Sequence, residues 1–114
     1  MDISFNHLNE ADRLVVTTNT SQVLWQMADR AIIAAIVERL KGYTAGWEVP
    51  EAGVPVANTR FNFYKGDKLL GNVGVGRTFL TALFRGGFVS RRSTIELHAE
   101  LLEMARPGLS RSDD

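Results

Sequence analysis

Residues Phe63–Gly76 read FYKGDKLLGNVGVG, and the fold turns on whether these glycines form a phosphate-cradling loop or a strand. A dinucleotide loop needs G-x-G-x-x-G running from a strand into a helix, so that the pyrophosphate can sit on the helix N-terminus. Here Gly71, Gly74 and Gly76 give the reverse spacing, G-x-x-G-x-G. The RTFLTALF that follows offers only Thr78 as a helix cap, and no lysine follows as in a P-loop. An acidic residue about 20 positions on, with a second strand behind it, is also missing. The stretch therefore reads as the second half of a β-hairpin, with FNFYK before Gly66–Asp67 and LLGNVGVG after it.

Side-chain parity predicts the register. A two-residue loop, Gly66–Asp67, sets Phe63 opposite Leu70 and mixes apolar and polar side chains on both faces. An odd loop, such as 66–68, sets Phe63 opposite Gly71 and Phe61 opposite Val73. Phe61, Phe63, Leu69, Val73 and Val75 then share one face, and Arg60, Asn62, Tyr64, Leu70, Asn72 and Gly74 share the other. A slip of one residue exchanges the faces, so the second partition is preferred and an odd loop is expected. Gly71 would then give the Phe63 ring room on the buried side, while Gly74 and Gly76 would leave a bare strip beside Arg60, Asn62 and Tyr64.

Upstream, DISFN alternates Ile3 and Phe5 with polar residues and suits a short strand, and RLVVTT (13–18) is rich in β-branched residues and suits another. Asn19–Thr20–Ser21 reads as an N-cap for a helix over Gln22–Lys41, which holds no Gly or Pro and stops at Gly42. On a helical wheel Leu24, Trp25, Ala28, Ala31 and Ile32 share one face. Ile33, Val37 and Leu40 then fall under the stripe that Gln22, Gln26 and Asp29 begin. A helix apolar nearly all round needs cover on both sides. A homodimer interface centred on Ile33 and Val37 is one expectation, and cover by the second helix or the long loop is the other.

Residues 42–58, GYTAGWEVPEAGVPVAN, hold two prolines and three glycines and form no regular element. Trp47 in this loop either covers one end of the core or contributes to a binding surface. TFLTALF reads as a third strand or a short helical turn, broken by RGG at 85–87. Ser93 and Glu96 fit a capping box ahead of a helix from Thr94 to about Ala105. The expected fold is α+β: a small antiparallel sheet of three to five strands packed on one long helix, with a second C-terminal helix. Residues 1–108 form one domain and 109–114 a flexible tail.

The 114-residue chain is 45% hydrophobic and 23% charged, enough for one core without staples. It has no cysteine, which excludes disulfides, thiolate zinc and a cysteine nucleophile. Neither a signal peptide nor an apolar run of about 18 residues is visible, so a cytoplasmic location away from membranes is expected. Zero net charge argues against a general nucleic-acid binder. Yet Arg60, Lys65, Lys68, Arg77, Arg85, Arg91 and Arg92 face only Asp67 within 60–92. Either this is a solvated sheet edge, or it is a patch for an acidic partner.

His7 and His98 are the only histidines and lack metal spacing, and no nucleophile elbow is present. No catalytic residue, metal or cofactor is expected. The reading is a non-enzymatic module, immunity- or inhibitor-like, that binds an acidic protein surface through Trp47, Arg60, Tyr64, Lys65, Lys68, Arg85 and Arg91. The alternative is a small-ligand binder or small enzyme with a pocket between helix and sheet, walled by Trp47, Phe84 and His98.

Overall fold

The computed structural model describes residues 1–51, 53, 55–84 and 86–106. Arg85 and the expected tail, 109–114, lie outside the described residues. The strands are β1 (Arg13–Thr18), β2 (Val23–Met27), β3 (Thr59–Lys65), β4 (Lys68–Val75), β5 (Phe79–Phe84) and β6 (Gly87–Arg92). They form one antiparallel sheet in the order β2-β1-β3-β4-β5-β6. Helix α1 spans Arg30–Leu40 and is extended by a 3-10 turn, Lys41–Tyr43; α2 spans Ile95–Ala105.

Six strands and two short helices replace the expected smaller sheet on one long helix. The expected helix over Gln22–Lys41 splits into β2 and α1. Asn19–Thr20–Ser21 forms a hairpin turn, not a helix cap. The Thr18 hydroxyl accepts the Thr20 and Gln22 N–H groups, and Ser21 takes a left-handed φ of 71°. In β2 the side chains alternate, so Trp25 and Met27 turn inward opposite Val16 and Leu14. The helix starts only at Asp29, whose carboxylate accepts the N–H groups of Ala31 and Ile32.

Two other elements differ from expectation. Gly87–Arg92 is a full strand beyond the RGG break, paired with β5 from Phe79↔Arg92 to Phe84↔Gly87. The N-terminal DISFN is not a strand. It buries Ile3 and Phe5, holds the Thr44 carbonyl through the Ile3 N–H, and continues into a 3-10 turn, Asn6–Leu8.

The core lies on one side of the sheet. Leu14, Val16, Phe61, Phe63, Val73, Val75, Leu80, Ala82 and Val89 all point to it. Ile33, Ile36, Val37 and Leu40 of α1, Leu97, Leu101 and Ala105 of α2, and Ile3, Phe5 and Leu8 close over them. Ile33 and Val37 are 1% and 2% exposed within the single chain, so they are core residues and no dimer interface is centred on them. Their extra apolar face is covered because α1 lies between the sheet and its neighbours.

The hairpin combines both candidate registers. Lys65 pairs with Lys68, so the turn is the two-residue Gly66–Asp67 and the odd loop is overturned. Gly66 has φ 58° and Asp67 is not left-handed, as in a type II′ turn. Yet Phe63 pairs with Gly71 and Phe61 with Val73. A β-bulge at Leu70 absorbs the extra residue. It leaves Leu69 on the outer face and Leu70 against the core, the reverse of their expected places. The apolar partition therefore holds along the body of the strands while the turn takes its preferred tight form.

Candidate functional site

Both helices cover the same side, so the other side of the sheet is the face on which the chain displays its surface. Strand alternation builds it in rows. One row runs Thr17, Arg60, Gly74, Thr81, Ser90 across β1, β3, β4, β5 and β6. The next holds Val15, Asn62 and Asn72, with the cross-strand pair Leu83–Phe88. A third holds Arg13, Tyr64 and Leu69, with the Arg13 guanidinium 4.6 Å above the Tyr64 ring.

Apolar side chains stand in this face without cover. Leu69, Leu83 and Phe88 are 46%, 53% and 38% exposed. Polar side chains between them are held in place: Asn62 Nδ2 donates to the Val15 carbonyl at 2.9 Å and to Thr17 Oγ1 at 3.2 Å. Arg60 Nε is closed off from solvent; among the described residues it has no acceptor, and its guanidinium joins no ion pair. A cavity of about 110 Å³ beside it is lined by Pro55, Val56, Arg60, Thr81 and Phe88.

The long loop creates that cavity by changing sides. Trp47 is fully buried, its Nε1 donating to the Tyr43 carbonyl at 2.6 Å and its ring meeting Phe5 edge-on. Glu48 then pairs backbone to backbone with Ser90 on the free edge of β6. By Ala57 the chain lies over the outer face, packed on Gly74. Gly74 and Gly76 are thus no bare strip. A Cβ on Gly74 would collide with the Thr81 hydroxyl and approach Ala57 Cβ to 3.0 Å, and one on Gly76 would meet the Phe79 ring at 2.5 Å. Gly71 makes room for His7 and Leu8, whose side chains stand 3.0 and 3.1 Å from where its Cβ would be, and not for Phe63. Contact with the protein disfavours the charged His7 ring and pulls its pKa below the ordinary 6.5.

Of the seven residues expected to bind a partner, the six among the described residues do not form one patch. Arg60 and Tyr64 lie on the outer face. Lys65 and Lys68 sit at the hairpin tip, where Lys65 pairs with Glu10 at 2.9 Å and holds that carboxyl below its usual range. Arg91 is a brace: it donates to the Ala45 carbonyl at 2.6 Å and lies 4.9 Å over the Tyr43 ring. Trp47 belongs to the core. Leu69, Leu83 and Phe88 were missed because their strands' pairing, and the bulge, are invisible to local patterning.

Trp47, Phe84 and His98 do not enclose a pocket. Trp47 fills core space. Phe84 borders cavities at the β5–β6 end, and His98 borders a separate one with Asn58, Gly76 and Phe79. Among the described residues no three acidic or histidine side chains converge as metal ligands, and no helix is long and apolar enough to cross a membrane. No family model, no curated protein and no solved structure matches this chain.

Proposed function

We propose that this chain is a non-enzymatic binding module that regulates or inhibits a protein partner, docked on the outer face of the sheet. The observation that carries this reading is the one-sided placement of the helices. It leaves Leu69, Leu83 and Phe88 in water beside Arg60, Asn62 and Tyr64. Exposed apolar side chains with aromatic and arginine neighbours have the make-up of an interface centre. Antiparallel sheets tolerate a face without helices, but such a face is ordinarily polar.

Charge narrows the partner to an acidic surface. Among the described residues Arg60 joins no ion pair, and neither do Lys68, Arg77 or Arg92. The test is affinity capture from the native host with the wild-type chain and with a Leu83→Asp/Phe88→Ser variant. A stoichiometric partner held by the first and lost by the second is expected. Failure to recover one, or equal recovery by both chains, would sink the reading.

A further inference from the structure

The ladder between β4 and β5 stops early. It joins Val75 to Leu80, Gly74 to Thr81 and Val73 to Ala82, and goes no further among the described residues. Leu70–Asn72 stay paired with β3 on their other side, while Leu83 and Phe84 continue along β6. The bulge at Leu70 bends β4 just where the two strands part.

A cavity of about 230 Å³ lies in this gap. Asn72 and Leu83 border it from the outer face, and Ile3, Phe5 and Leu8 close it from the core side. An apolar cavity of about 150 Å³ takes a benzene ring, and drug-sized ligands need about 300 Å³ or more. The gap therefore has room for one ring with a short substituent. Among the described residues no Asp, Glu, Lys or Arg lines it, so a charged ligand would lose its hydration with nothing to pair with. Its polar groups are those of Ser4, His7 and Asn72. The side chains of His7 and Asn72 make no hydrogen bond to the described residues, and neither is buried. A neutral imidazole and a carboxamide each offer both a donor and an acceptor.

We infer that this gap binds a small uncharged molecule of single-ring size. Its apolar body lies against Phe5, Leu8 and Phe84, and one hydroxyl, carbonyl or amide group meets His7 and Asn72. The site shares Leu83 with the docking face, but it stands without a protein partner and its test uses the free chain.

Benzyl alcohol is the probe, followed by amide NMR. Saturable shifts centred on Leu70, Asn72, Ala82 and Leu83 are expected, with a midpoint of about 1–10 mM. Benzylammonium and benzoate are close to it in size but charged, and each should bind at least about tenfold more weakly. Leu83→Trp narrows the gap at a side chain 53% exposed, where a larger ring needs no core space. Ala82→Val narrows it from the core side. Each should weaken binding by about tenfold. His7→Phe/Asn72→Leu keeps bulk but removes the hydrogen bonds. It should cost benzyl alcohol about tenfold and toluene less than about twofold.

No saturable shift up to about 100 mM, or shifts scattered over the surface, would overturn the site. So would a charged ring that binds as well as the alcohol, or unchanged binding in both narrowing variants. Equal losses for benzyl alcohol and toluene would overturn the part given to His7 and Asn72. Failure to capture a protein partner would remove the docking reading and leave this site standing.

Discussion

At Gly74 a single methyl group has nowhere to go. The Thr81 hydroxyl occupies its place and Ala57 closes the space above. Threonine is stiff at χ1, so its hydroxyl does not swing aside freely. Gly74→Ala should destabilise the fold by about 1–3 kcal/mol. Thr81→Ala removes the colliding atom, so the double variant should recover most of the loss, with a coupling of about 1 kcal/mol or more in urea melts. Simple additivity would show that β4 moves as a whole. His7 offers a second residue-scale prediction. Its folded pKa lies below the unfolded 6.5, so the unfolded chain binds the extra proton first. This contribution to stability is complete above about pH 6.5 and declines as pH falls through the window between the two pKa values. A proton-NMR titration should place His7 below 6.5, and His7→Gln should flatten that part of the pH profile. The effect is small, because one side of the ring stays in water. The glycines were legible as positions where something approaches the backbone. What approaches was not, because His7, Ala57 and Thr81 arrive from elsewhere in the chain.

The ends of the elements show what a local pattern can and cannot fix. Ser93 and Glu96 match a capping box, yet the N-cap of α2 is Thr94, whose hydroxyl accepts the Leu97 N–H at 3.0 Å. Ser93 Oγ is buried and has no partner among the described residues. The two alcohols therefore predict opposite outcomes. Thr94→Ala should cost about 1 kcal/mol. Ser93→Ala should be neutral or slightly stabilising, because it removes a desolvated hydroxyl that bonds to nothing. Chemical denaturation of the two variants decides it; equal losses would return the cap to Ser93. RLVVTT and TRFNFYK could be read as strands because alternation and β-branching coincide within them. The run from Gln22 to Lys41 misled because a helix and a five-residue strand are both free of glycine and proline. Its signal was the break in the wheel at Asp29. There the inward positions change from every second residue, Trp25 and Met27, to the helical spacing of Ile33, Ile36, Val37 and Leu40.

On the scale of the whole molecule, the sheet separates the packed core from the exposed apolar side chains by side. The chain leaves edge strand β2 through α1, which lies on the inner face. It then passes the far edge at Glu48, reaches the outer face at Ala57, and enters β3 in the middle of the sheet. Such a path brings residues far apart in sequence to one surface, which is why local patterning found Arg60 and Tyr64 but not Leu83 and Phe88. The two faces should answer mutation differently. Phe61 is fully buried in the core, and Phe61→Ala should cost about 3–5 kcal/mol. Leu83 and Phe88 face each other across β5 and β6 and stay 53% and 38% exposed, so Leu83→Ser and Phe88→Ser should each cost far less, about 1 kcal/mol. Each should nevertheless weaken the captured partner by about tenfold or more, since exposed aromatic and aliphatic anchors act through desolvation at the interface centre. Urea melts set beside calorimetric titration with the partner test the separation. If the serine variants lose stability as Phe61→Ala does, the outer residues belong to the core. If they keep both stability and affinity, the partner docks elsewhere, and the apolar side chains of this face have no part in recognising it.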